Sequence, residues 1–343
     1  MISTRILIMA FLIPLLLRLN DEENRLMSQL TYVLMPVFED WISTERLILR
    51  MKQEFPQPLW ESLFFVLVDD ASNQVIPERF NIPAKAALLR LHRNLGHQRA
   101  IAIGLAYIVN NKTDVKAILV MDADGEDSPS GMISLINASE GNPGKIVFAA
   151  RRHRENAFVF KVGYFIYRAL FAILTGTRIS FGNFCYLPFP LAKRIIHVSE
   201  IWNHFPGGVI RSKLPFVAVP VDRAPRINGK SHMDTVSLIL HGLGAISVHL
   251  ETVTTRLLLF FLSLLLLSGA GIVTVVWFKL FTTLAIPGWA TSAFSGLALM
   301  FLQSLFTALL LVFIILNYRT QKQIIPAKDY MDYVAEVSEI SIR

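Results

Sequence analysis

Cysteine is almost missing from this chain: Cys185 is the only one among 343 residues. No intramolecular disulfide can form, which fits a reducing compartment. Charge is scarce as well, at 17% of residues against 53% hydrophobic. The mean hydropathy of +0.48 is too high for an all-soluble protein. No block of lysines and no RNA- or DNA-binding signature occurs, so nucleic acid is excluded as a partner. No Gly-x-Gly-x-x-Gly follows the first apolar run and there is no Walker A lysine loop, which sets aside a dinucleotide-binding Rossmann domain and a P-loop. Metal-binding Cys/His spacings are absent too. The net charge of +7 then points to an anionic membrane surface or to phosphorylated substrates.

What is present centres on Ala117–Pro129, AILVMDADGEDSP. A continuous apolar run, Ala117 to Met121, suits a strand buried on both faces. Asp122, Asp124, Glu126 and Asp127 follow, with Gly125 among them, and Ser128-Pro129 reads as a helix N-cap with proline at the first helical position. The acids therefore sit at the carboxyl end of a strand, where open α/β sheets place their ligands. Carboxylates one residue apart on such a turn can share a hard divalent cation, and that cation can hold a diphosphate. An acidic solvated loop is the plain alternative.

In chain order, Ile6–Leu17 is apolar but interrupted by Pro14, and too short to span a bilayer of roughly 30 Å. It reads as an extension lying on a membrane or a neighbouring chain, or as the product of an upstream start, since Met27 would serve as well. Thr31–Phe38 reads as the first strand, Trp41–Lys52 as a helix, Leu63–Val68 as a second strand ending in Asp69-Asp70, and Leu88–His92 as a third. Gln98–Val109 is a helix with Ala100, Ala102, Gly104 and Ala106 on its packing face. Lys145–Ala150 is a fifth strand, after the one ending in the acids, and it runs into Arg151. This alternation is the pattern of βαβ units around a mostly parallel sheet. Phe158–Leu174 suits a helix half-sunk at a membrane surface, and Thr235–Glu251 an amphipathic segment.

Leu257–Phe278 and Trp289–Leu316 are apolar runs long enough to span a bilayer. Arg256 precedes the first, while Arg319 and Lys322 follow the second, so the positive-inside rule puts both ends of the hairpin in the cytoplasm. Neither run carries an acid or a charge pair at its middle, which gives no sign of an ion path. His92, His97, His204 and His241 read as structural histidines and Cys185 as a small buried filler. Asp69 reads equally as a turn cap or a brace of the sheet.

Six motifs follow one another along the chain: the strand ending in Pro36, Val68-Asp69-Asp70-x-Ser72, Asn94-Leu-Gly96, Asp122-x-Asp124, Arg151 after strand five, and Arg226-x-x-Gly229-x-Ser231. Their order resembles the family 2 glycosyltransferases with a GT-A fold, and more narrowly the dolichol-phosphate mannose synthase and bacterial polyprenyl-phosphate glycosyltransferase branch. The resemblance covers about residues 31–256 and implies an α/β GT-A domain, Rossmann-like with a mostly parallel sheet, followed by interface helices and a two-helix anchor. The expected division is an extension over 1–30, a catalytic domain over 31–233, a juxtamembrane segment over 234–256, a transmembrane hairpin over 257–318 and a cytoplasmic tail over 319–343.

The resemblance also implies residue roles. Pro36, Asp40, Val68, Asp70, Asp122, Ala123 and Asp124 would hold the nucleotide sugar. Asp122, Asp124 and Glu126 would hold Mg²⁺ or Mn²⁺, with Glu126 standing where the synthases have glutamine. Arg151 and Arg226, with Lys230 or His232, would hold the acceptor phosphate; Asp124, Arg151 and Arg226 would carry catalysis. His232 replaces the lysine usual in the last motif, and Glu39-Asp40 replaces the usual Asn-Glu.

The implied reaction is inverting transfer of a sugar from a nucleotide-diphosphate sugar to a polyprenyl phosphate, at the cytoplasmic face of the inner membrane. Membrane lipids are then partners, and because relatives assemble through their membrane regions a homo-oligomer is expected. Two other readings stand beside it. One is transfer to a glycolipid or lipid-linked oligosaccharide hydroxyl, with Asp127 as the nearest candidate base. The other is a catalytically silent membrane scaffold.

Overall fold

The computed structural model describes residues 29–73, 80, 82–151, 168–177, 181–228, 242–283 and 288–340. The N-terminal apolar stretch, most of Phe158–Leu174, and Lys230 and His232 lie outside the described residues. The chain divides into two compact units: residues 1–154, 179–241 and 324–343 in one, and 155–178 with 242–323 in the other.

The first unit is built on an eight-stranded sheet. β1 (Leu30–Val37), α1 (Trp41–Glu54), α2 (Gln57–Glu61), β2 (Leu63–Asp69), β3 (Ala86–Leu91), α3 (His97–Asn111), β4 (Val115–Val120), α4 (Pro129–Glu140) and β5 (Ile146–Arg151) follow the expected alternation closely. β6 (Cys185–Pro188), α5 (Phe189–Ile195), α6 (Phe205–Arg211) and β7 (Phe216–Val221) come next, and α9 (Pro326–Asp329) and β8 (Val334–Ile340) close the unit. The strand order is β7-β5-β6-β4-β1-β2-β3-β8. β4, β1, β2 and β3 run parallel; β6 lies antiparallel between β4 and β5, and β8 lies antiparallel on β3.

Alternate residues of β1 explain its unbroken apolar sequence. Tyr32 and Leu34 join one core with α3, α5 and α6, while Val33, Met35 and Val37 join a second core with α1 and α4 on the opposite face. A strand covered on both faces needs apolar side chains in both directions. The small residues of α3 let it lie close to the sheet: a methyl group on Gly104 would stand 2.3 Å from Leu34 Cδ1 and 2.9 Å from Val68 Cγ2.

Within residues 319–343, expected as a tail, Val334–Ile340 instead forms the edge of the sheet as β8, pairing Ala86 with Ile340 through Leu91 with Val334. Tyr330 is buried beneath it and accepts a hydrogen bond from Asn111 Nδ2 at 2.7 Å. The reason is the exposed hydrogen-bonding edge of β3, which a returning strand satisfies. β6 and β7 also went unanticipated: one is only four residues long, and the other carries Pro220, tolerated because β7 is an edge strand.

The second unit holds α7 (Leu250–Phe281) and α8 (Trp289–Thr320), both longer than the apolar runs alone suggest. They pack side by side, with Leu297 seated on Gly271. Arg319 and Glu251 pair at 3.5 Å where the hairpin begins and ends. Arg256 donates to the Ile173 carbonyl at 2.6 Å, near the end of the helical residues 168–175.

Candidate active site

The acidic loop after β4 is organised from within. The Asp127 carboxylate, almost fully buried, accepts from the Asp122 amide at 3.0 Å, and Asp124 Oδ1 accepts from the Glu126 amide at 2.9 Å. Gly125 adopts φ +83°, and a methyl group there would stand 2.4 Å from Ile227 Cγ1. Both the left-handed backbone and the close approach require glycine. Ser128 Oγ then accepts from the Gly131 amide at 3.1 Å and caps α4, with Pro129 at its first turn, as expected.

A second segment lies over this loop. β7 ends at Val221, paired with Arg151 at the end of β5, so residues 222–228 leave the sheet at the edge where the acids emerge. Their backbone binds the acidic loop directly: Ala224 N–H donates to the Glu126 carbonyl and Ile227 N–H to that of Asp124, both at 3.0 Å. Arg226 Nη2 donates to Asp40 Oδ2 at 3.0 Å, and its Nη1 lies 3.5 Å from Asp124 Oδ2. Arg223 forms an ion pair with Glu126. The tertiary structure thus joins Asp40, Asp124 and Arg226, far apart in sequence.

A cleft opens beside the loop, lined by Pro36, Val37, Phe38, Asp70, Asn94, Gly96 and His97. The Asp70 carboxylate accepts from the Leu95 and Gly96 amides at 2.7 and 2.8 Å, holding the turn that forms one wall. Burial raises the Asp70 pKa, against the opposing pull of those two amides. Asp69 acts both as cap and as brace: Oδ1 accepts from the Ser72 amide at 2.9 Å and Oδ2 pairs with Arg90 at 3.2 Å. Val68 is wholly buried in the core and Ala123 nearly so, which places both side chains behind the cleft wall.

His97 was read as a structural histidine, and the fold puts it at the site instead. Its Nε2 stands 3.1 Å from Asp122 Oδ1 and 2.9 Å from the Asn183 side-chain amide. Desolvation on the protein side opposes charging of this partly exposed ring, but the Asp122, Asp127 and Asp124 carboxylates outweigh it and raise its pKa. The available signal was its place directly after Asn94-Leu-Gly96, at the first residue of α3. Asn183 and Arg223 were missed as contributors because nothing local marks them.

Glu126 is engaged by Arg223, and no group of three His, Cys, Asp or Glu among the described residues converges on one point. Asp122 and Asp124 fit a hard cation whose remaining positions come from a diphosphate and water. The backbone of Arg151 closes β5 at this edge of the sheet.

An α/β sheet with an acidic loop, a facing arginine and a cleft at the carboxyl ends of its parallel strands defines a ligand-binding domain of the doubly wound class. The chain matches, over residues 32–189, the family model described as Glycosyl transferase family 2. It is 26% identical over 288 residues to the "Uncharacterized glycosyltransferase YkcC" of Bacillus subtilis (strain 168), covering 79% of this chain and 85% of that one. Among solved structures it is similar to glucosyl-3-phosphoglycerate synthase from Mycobacterium tuberculosis in complex with Mn²⁺, uridine diphosphate and glucosyl-3-phosphoglycerate. That match has a TM-score of 0.48 at 15% identity, covering 67% of this chain and 82% of the other. Mannosyl-3-phosphoglycerate synthase from Rubrobacter xylanophilus matches with a TM-score of 0.43 at 14% identity, covering 64% and 72%.

Proposed function

We propose that this protein is a membrane-anchored, inverting glycosyltransferase that moves a sugar from a nucleotide-diphosphate sugar to a polyprenyl phosphate. The observation that carries this reading is the meeting of Asp124 with Arg226, and of Asp122 with His97, beside the Pro36–Asp70–Gly96 cleft. The cleft would take the nucleoside, and the diphosphate would lie toward the acidic loop. A divalent cation, Mg²⁺ or Mn²⁺, held by Asp122 and Asp124 would neutralise charge on the departing diphosphate. Arg226 is placed to add charge-assisted hydrogen bonds to phosphate oxygens once a donor competes for it. Arg151, Lys230 and His232 are assigned to acceptor phosphate on the sequence resemblance.

A lipid phosphate is already ionised near neutral pH, so its attack on the anomeric carbon needs no strong base. Positioning and leaving-group stabilisation carry the catalysis. The alternative with a hydroxyl acceptor calls for a base, and Asp127 serves it poorly: that carboxylate is buried and holds the Asp122 amide.

α7 and α8 support the anchor. Their apolar windows are only 11% and 17% buried, with large side chains such as Leu266, Trp277, Phe306 and Phe313 exposed, unlike helices of a soluble core. Arg256 and Arg319 flank the hairpin, and under the positive-inside rule they support cytoplasmic ends for it.

The test is transfer of radiolabelled sugar in detergent, using a panel of nucleotide sugars, Mg²⁺ or Mn²⁺, and undecaprenyl phosphate. Label entering an acid-labile lipid phosphate, and lost on chelation or with Asp124→Asn, is the expected result. Transfer to a lipid hydroxyl instead would favour the alternative acceptor. Failure of both transfer and donor binding would leave the scaffold reading.

A further inference from the structure

The side of α8 turned toward α7 is filled. Ala290, Ser304 and Ala308 are buried there, and Leu297 and Phe301 lie over Gly271 and Gly269. The opposite side is open: Ser292, Gly296, Leu299, Gln303, Phe306 and Leu310 are all exposed. A methyl group added to Gly296 would meet nothing within 4 Å. These positions follow one another in alternating steps of four and three residues, which keeps them on one seam of a helix with a turn of about 3.6 residues.

Gln303 sits near the middle of this 32-residue helix. Other polar side chains of the hairpin return to their own backbone: Ser268 donates to the Leu264 carbonyl, Thr274 to that of Ala270 and Thr307 to that of Gln303. Among the described residues the Gln303 side-chain amide makes no such bond. In hydrocarbon an amide without a partner carries its full desolvation cost, and the headgroups, about 15 Å away at mid-depth, lie beyond its reach. It therefore marks the face that needs another helix.

The geometry of a bilayer selects that helix. A second copy is inserted in the same orientation, so a twofold axis relating the two runs along the membrane normal and their α8 helices are parallel. Each seam residue then meets its own counterpart at the same depth. A primary amide is complementary to itself, since the carbonyl of one Gln303 accepts from the amide N–H of the other and the reverse. Gly296 lets the two backbones approach, whereas the apolar seam residues alone would gain little over contact with lipid. We propose that the outer face of α8 is a homotypic interface, at which two copies of this chain pair through Gln303 in a left-handed parallel crossing. The inference rests on the reading of α7 and α8 as a membrane-spanning hairpin, and not on the identity of donor or acceptor.

The test uses the full chain in membranes, with Leu299→Cys on the seam and Leu309→Cys on a lateral face that is exposed as well. Wild type is the blank, because its one cysteine, Cys185, is buried. Oxidation with copper phenanthroline is expected to give a disulfide-linked dimer with Leu299→Cys and none with Leu309→Cys. Energy transfer between labelled copies diluted in lipid vesicles then reads the affinity. Gln303→Leu and Gly296→Ile are each expected to weaken association by about 3- to 30-fold, with melting temperature close to wild type. Equal cross-linking at the two cysteine positions, or unchanged energy transfer in both variants, would overturn the interface. So would Leu299→Cys joined to a protein of another mass, which would make the occupant a foreign helix. Release of the wild-type chain from membranes by alkaline carbonate would overturn the anchor reading and the interface with it; retention without any dimer would overturn the interface alone.

Discussion

Arg226 and Asp124 face each other across the acidic loop at 3.5 Å, and the same guanidinium donates to Asp40 at 3.0 Å. One cation thus links the residue before α1 to the loop after β4. It balances two carboxylates that would otherwise repel each other.

Arg226→Ala is expected to lower kcat/KM for sugar transfer by about 100-fold, the scale seen when one transition-state donor is removed. Arg226→Lys recovers part of this, since lysine keeps the charge but loses the forked geometry. Steady-state kinetics with the donor identified in the transfer assay decide it. A loss below about threefold for the alanine variant would remove Arg226 from the phosphate machinery, being under 1 kcal/mol.

Glu126 and Asp124 should behave differently although both are acids of one loop. Glu126 is paired with Arg223, so Glu126→Gln costs about 0–1 kcal/mol of stability, as for a partly exposed ion pair, and leaves cation affinity near wild type. Asp124→Asn removes a proposed ligand and abolishes cation-dependent transfer. Mn²⁺ titration of both variants separates the roles; equal loss in the two would make Glu126 a ligand.

Gly125→Ala tests the fit between the two loops. At φ +83°, with Ile227 2.4 Å from the added methyl, it is expected to cost about 1–3 kcal/mol. Because the strain falls on the acidic loop, activity should drop further than the melting temperature does.

Gly104→Ala lies far from the chemistry and should act on stability alone. The added methyl meets Leu34 at 2.3 Å, an overpacking that costs about 1–3 kcal/mol. Thermal unfolding is expected to shift downward while donor KM stays at its wild-type value.

Removing residues 324–343 should expose the β3 edge and the bed of Tyr330. Faster proteolysis and aggregation of the truncated chain are expected, relative to the intact protein in the same detergent. Tyr330→Ala is the milder version, costing about 3 kcal/mol as for other buried aromatic truncations. Unchanged protease resistance in both would mean that β8 is dispensable to the sheet.

Much of this architecture was legible along the chain because its signals are local. Unbroken apolar runs marked β1, β2 and β4, since a strand covered on both faces leaves no position for a polar side chain. The Ser128-Pro129 cap marked the start of α4, and two long uncharged runs marked α7 and α8. The acids at the end of β4 were visible as candidates for the same reason: their chemistry and spacing lie in one short stretch.

What decided the site was contact between distant segments, which no local pattern encodes. The pairing of β5 with β7 brings residues 222–228 over the acidic loop, engaging Glu126 with Arg223 and giving Asp124 and Asp40 to Arg226. The turn before β6 delivers Asn183 to His97, and β8 turns an apparent tail into part of the sheet. Residue type and periodicity determine which elements form and which faces are apolar, through burial and backbone propensity. Which charges meet depends on sheet order and loop crossing, which arise only once the chain has closed on itself.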